Sequence, residues 1–157
     1  MTNSLKQKGV AAVELALLVI PLVLLVFGIT ELGRAIYQYN TIVKGVRDGT
    51  RYLTQYEPGN LSRFEEAKSL VVFGIISSDC KQITLVPLVP GLTCEMVTVK
   101  DRLTSTDKAA YDHQTTGRGV LNLVGVEVSG FGFSSLAPFF ISNFTFDPIQ
   151  TTMVQVL

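Results

Sequence analysis

From Gly9 to Thr30 the chain runs for 22 residues with one charged side chain, Glu14. No other stretch narrows the possible folds as much. Coiled as an α-helix it is roughly 33 Å long, close to the hydrocarbon thickness of a bilayer. Its composition is that of a membrane anchor. A carboxylate near the start of such a segment is costly in lipid and marks a purpose. Removing the anchor leaves about 125 residues, enough for one small domain.

The flanks divide the rest. Residues 1–9 form a short polar leader with Lys6 and Lys8, and residues 10–30 form the expected transmembrane helix. Residues 31–56 continue that helix, and 57–157 make a C-terminal domain. An ordinary signal peptide fits poorly. The apolar run is too long for one, contains Glu14 and Pro21, and has no A-x-A cleavage site at its end. Basic residues do not orient the span, because Lys6 and Lys8 on one side face Arg34, Lys44 and Arg47 on the other.

The order of features is more specific than a plain anchor. A basic leader, Gly9, four small or apolar residues, Glu14 and a long apolar run resemble the processing site of type IV pilins. The longer pattern Val13-Glu14-Leu15, Pro21, Phe27-Gly28, Glu31-Leu32-Gly33-Arg34-Ala35 and Tyr37 resembles the TadE family, pilin-like proteins of tight-adherence (Tad or Flp) pili. The close resemblance covers roughly residues 6–56. Leu15 departs from it, since major pilins of this class carry an aromatic there, but the position stays apolar.

The resemblance implies a role and partners. A prepilin peptidase would cut between Gly9 and Val10, making Glu14 the fifth residue of the mature chain. The other partners would be Tad pilins and minor pilins, the inner-membrane assembly platform and the lipid bilayer. The anchor would cross the inner membrane once, leader inside and domain in the periplasm. Glu14 would pair with the Val10 amine of a neighbouring subunit or be read by the peptidase; alternatively it snorkels to the headgroups. The other reading is an uncleaved, membrane-anchored scaffold of the secretion apparatus.

Beyond the anchor, Leu32, Ile36, Tyr39, Val43, Val46, Thr50 and Leu53 alternate steps of four and three, a helical stripe. One helix is expected from about Val10 to Tyr56, kinked or locally unwound at Pro21. Gly28, Gly33, Gly45 and Gly49 permit close helix approach. The G-x-x-x-G pair Gly45 and Gly49 marks either a contact between subunits or close packing within one.

Glu57-Pro-Gly-Asn60 ends this helix. Ser62-Arg-Phe-Glu65 reads as a capping box, opening a second helix from about Arg63 to Phe73 with Gly74 as its stop. Gln82–Leu88 and Thr93–Lys100 read as a hairpin turning at Pro90-Gly91, with Cys80 and Cys94 on its two arms. Outside the membrane these cysteines would form a disulfide; in the cytosol they would stay reduced. Residues 101–119 read as an exposed loop. Val120–Phe133 holds a strong strand, with Val124, Val126 and Val128 alternating. Phe139–Phe146 is aromatic and either packs over the sheet or forms an adhesive patch, and Ile149–Leu157 reads as a last strand. The layout is α+β: a long helix, a short helix, then a small, mostly antiparallel sheet. Type IV pilins share this plan.

Little points to catalysis. His113 is the only histidine and stands in a polar loop beside Asp112. G-x-S-x-G, H-E-x-x-H and phosphate-loop motifs are missing from the sequence, and Gly130-Phe-Gly132 lacks the rest of a dinucleotide fingerprint. Two cysteines without a histidine pair make a poor zinc site. The expectation is therefore no enzyme, no cofactor and no metal. A formal net charge of zero gives no basic surface for nucleic acid.

Overall fold

The computed structural model describes residues 4–81, 85–117, 119–139 and 141–156. They form an α+β fold: a long helix, a short helix, then antiparallel strands. The chain divides into two compact units. One joins the chain up to residue 36 with residues 134–143, and the other holds 37–133 and 144–157.

Helix α1 spans Ser4–Leu53 and so enters both units. It is α-helical without a break through Pro21, so the expected unwinding does not occur. Only one backbone donor is missing there, and the turns on either side keep their own bonds. The hydroxyls of Thr30 and Thr41 donate back to the carbonyls of Val26 and Tyr37, both at 2.8 Å. The helix stops ahead of Pro58, and Gly59 takes the left-handed φ of 78° that the turn requires.

In the second unit, α1 buries Gln38, Ile42, Val46, Thr50 and Leu53. The stripe read from sequence is right from Val46 onward and one position off before it. Ile42, not Val43, is fully buried, and Tyr39 is 42% exposed.

Helix α2 spans Leu61–Phe73. The capping box is not used. Asn60 is the N-cap, its side chain accepting the Arg63 N–H at 3.3 Å. Ser62 is already inside the helix, and Glu65 pairs with Lys68 at 2.7 Å instead. Asn is as good a cap as Ser, and starting there adds helical residues to the same amphipathic segment. Gly74 ends α2 with φ 74°, its N–H bonded to the Leu70 carbonyl.

The two helices close over Gly45 and Gly49. A Cβ on Gly45 would stand 2.9 Å from the Val71 carbonyl oxygen; on Gly49 it would stand 2.7 Å from Val71 Cγ2. The close approach that the G-x-x-x-G spacing allows is thus made to α2 of the same chain, as the alternative to a subunit contact.

The sheet is built on β3 (Gly119–Val128). Strand β1 (Val97–Asp101) and strand β6 (Ile149–Gln155) flank it, both antiparallel, with Val99 and Thr151 each opposite Val126. Strand β2 (Gln114–Thr116) pairs with its first three residues, within the segment expected to be loop. Val124, Val126 and Val128 are buried as their alternation implied. They meet Val97, Val99 and Ile149, and with Val46, Leu53, Ala67 and Val71 form the core. Two short strands, β4 (Gly132–Phe133) and β5 (Phe144–Thr145), pair separately.

The expected Gln82–Leu88 strand is not supported where it can be seen. Residues 82–84 lie outside the described residues, and 85–88 are bends and coil. Pro87 removes a ladder donor, and the Leu88 N–H bonds the Val72 carbonyl at 2.8 Å. Accordingly β1 pairs with β3 and not in a hairpin. Cys80 and Cys94 are nevertheless bridged, with Cα atoms 6.0 Å apart. The bridge packs with Val89 and Leu92 in the core.

The aromatic segment splits. Phe146 packs on Tyr39 and stacks on Phe131, with ring centroids 5.6 and 5.9 Å away. Phe139 is 90% exposed, and Phe140 lies outside the described residues.

Candidate functional site: the N-terminal helix and its tethered loop

The first unit is an apolar helix with a short loop tied to its end. From Val10 to Ile29 the large apolar side chains of α1 are 42–69% exposed. Successive residues step 100° around a helix, so this exposure covers every face. Water solvates such a surface badly, whereas lipid suits it. Length and composition both allow a membrane crossing.

Gly9, Val10, Glu14 and Leu15 are all exposed on α1. A Cβ added at Gly9, Gly28 or Gly33 would meet no atom of the rest of the chain within 4 Å. Gly9 thus stands, within the helix, on a flank that no other part of the chain crowds. Pro21 lies among the exposed apolar residues. Of the residues expected to pack subunits together, Gly45 and Gly49 are covered by α2, while Glu14, Pro21, Gly28 and Gly33 keep open flanks.

At the end of the apolar run the charges are tightly paired. Glu31 is only 3% exposed. Its carboxylate accepts from Arg34 Nη2 at 3.0 Å and Nε at 3.3 Å, from the Ser135 hydroxyl at 2.8 Å and from the Leu136 N–H at 3.1 Å. Arg34 also donates to the Ser134 carbonyl. Ser135 in turn takes the Ala137 N–H on its hydroxyl, and its own N–H bonds Asn143 Oδ1. Four donors on one carboxylate offset the cost of burying it. Sequence reasoning named Glu31 and Arg34 as a pattern without a role. The available signal was an acid and a base three residues apart immediately after an apolar run. Their third partner, a hundred residues on, left no local trace.

In the second unit Asp101 and Glu66 hold backbone and side-chain donors. Asp101 is fully buried. Its carboxylate accepts the N–H groups of Gly59, Leu103 and Thr104 and the Thr104 hydroxyl. Burial pushes its pKa up, but these hydrogen bonds outweigh that and hold it below the ordinary carboxylate value. Glu66 is likewise lowered by hydrogen bonds from Tyr52 and Arg63. His113 is exposed, 2.6 Å from Asp112. A groove of about 590 Å³ beside Gly45 is lined by Tyr37, Asn40, Thr41, Lys44 and Asp48, with Leu70 and Leu88. Among the described residues, no group of three or more His, Cys, Asp or Glu side chains is placed to hold a metal ion.

A fully exposed apolar helix in sequence with a small, disulfide-bridged α+β domain defines a class: proteins built to carry a compact domain on a helix fit for a membrane. Within that class the chain carries a TadE-like segment, since the family model described as TadE-like protein matches residues 9–51. The resemblance read over roughly residues 6–56 overlaps this match and extends a few residues past it at each end. No curated protein and no solved structure gives a significant match to the chain.

Proposed function

We propose that the chain is a minor pilin or pseudopilin of a Tad (Flp) pilus. In this reading a prepilin peptidase removes residues 1–9, and residues 10–30 hold the protein in the inner membrane. Residues 31–56 continue the helix beyond the bilayer, and the domain from 57 onward stands in the periplasm. The subunit then joins other pilins through its exposed helix at the assembly platform. The observation that supports the reading is the TadE-like match over residues 9–51. That range takes in Gly9, Glu14 and an exposed helix whose apolar side chains face outward on every side. Such a surface is stable in lipid and equally ready to pack against like helices.

The test is the mass of the N-terminal peptide in native membranes and in sheared pili. A chain beginning at Val10 in both fractions is the expected result. A chain retaining Met1 or Thr2, in membranes alone, would overturn the reading in favour of an uncleaved scaffold.

A further inference from the structure

We propose that residues 134–143 form a second, shallow membrane contact, in which Leu136 and Phe139 enter the lipid interface beside the end of the anchor helix. The proposal rests on the anchor reading and adds to it a surface outside the TadE-like segment.

The placement follows from the tether. Leu136 N–H is 3.1 Å from the Glu31 carboxylate and Ser135 Oγ is 2.8 Å from it. Glu31 is the residue directly after the apolar run. The loop backbone is thus held within about one helical turn, roughly 5 Å, of the level where the anchor leaves the hydrocarbon. Aromatic and apolar side chains are favoured at that level.

The chemistry of the loop matches it. Residues 134–143 contain no charged side chain. Ser135 bonds Glu31, Asn143 accepts the Ser135 N–H, and the Ile141 N–H bonds the Ala137 carbonyl at 3.4 Å. The exposed groups mix small uncharged polar residues, Ser134, Ser142 and Asn143, with large apolar ones, Leu136 at 81% and Phe139 at 90%, a mixture suited to the lipid interface. At the same end of the anchor, Phe27 and Ile29 are also more than half exposed. Arg34, which holds the loop through the Ser134 carbonyl, has a chain long enough to rest on apolar surface with its guanidinium at headgroup level. A charge this near lipid would be costly if unpaired, and Glu31 is the paired exception.

The chain contains no tryptophan, so single probes are clean. Full-length Phe139→Trp and, separately, Val19→Trp are reconstituted in phosphatidylethanolamine–phosphatidylglycerol vesicles holding both lipids brominated near the headgroup and lipids brominated deep in the chain. Emission is read against lipid bromine and aqueous iodide. The expected result is that both tryptophans lose most of their emission to bromine and that the one at position 139 is shielded from iodide. Adding Glu31→Ala should release the loop, restoring emission at position 139 and leaving position 19 unchanged. Quenching at 19 with an iodide-accessible, unquenched 139 would overturn the loop contact and leave the anchor standing. Loss of bromine quenching at both would overturn the anchor and the loop with it. Shielding of 139 from iodide without bromine quenching would assign the loop to a protein neighbour and overturn the lipid contact.

Discussion

Asp101 is the residue on which the connection after α1 depends. Its carboxylate holds Gly59 from that connection together with Leu103 and Thr104 after β1. Its folded pKa lies below the unfolded value. Its contribution is therefore complete above the ordinary carboxylate range and is lost as the pH falls through the lower folded value. Asp101→Asn should cost about 1–3 kcal/mol at neutral pH, because buried donors lose their charged acceptor. In detergent, the melting curves of the wild type and the variant should draw together as the pH is lowered towards 3, a range set by the direction of the shift. A constant gap down to acid pH would remove this role. At the other end of the chain, Gly9→Glu places a bulky charge on the exposed turn proposed as the peptidase site. It should leave the leader attached, as read by mass, and normal processing would withdraw the cut at Gly9.

Among the elements, the crossing of α1 and α2 is the least tolerant of added volume. Gly45→Val must move either the Val71 carbonyl or α1, since even its Cβ falls 2.9 Å from that oxygen. A cost of about 1–3 kcal/mol is expected from overpacking, seen as a lower melting temperature. Gly33→Val, with open space around it, should leave the melt much closer to the wild type. The contrast shows what sequence conveys. Gly45 and Gly49 announced a close approach, but spacing does not name the partner helix. The alternation of Val124, Val126 and Val128 gave the central strand outright, because a half-buried strand repeats every two residues. Ile42 was missed because Val43 and Tyr39 suit an apolar stripe equally well, and only the position of α2 decides between the two faces. The Gln82–Leu88 strand failed in residues 85–88 because apolar content outvoted Pro87. Asn60 lost to Ser62 because two good caps two residues apart look alike in one dimension. The long apolar helix was legible because it depends on composition alone. The Glu31 tether was not, because its partners Ser135 and Leu136 follow a hundred residues later.

For the whole molecule, the proposed role makes a separable prediction. Glu14→Ala removes the one charge within the apolar run. The protein should remain in the membrane fraction while piliation, scored by shearing and microscopy, falls; normal piliation would count against a pairing role for Glu14. The domain's own durability rests partly on the Cys80–Cys94 bridge, whose loop is worth about 3 kcal/mol in the chain-entropy picture. Under the proposed role, the same bridge would make each molecule a witness to its own crossing. Sulfurs kept in a reducing compartment stay open to alkylation, and those carried into an oxidising one are closed. In cells quenched in acid and treated with a polymer-tagged maleimide, stranded chains would migrate as a heavier band and delivered chains would keep their size. The ratio of the two bands would time delivery, with no need for a reporter fused to a subunit that has to fit among its neighbours.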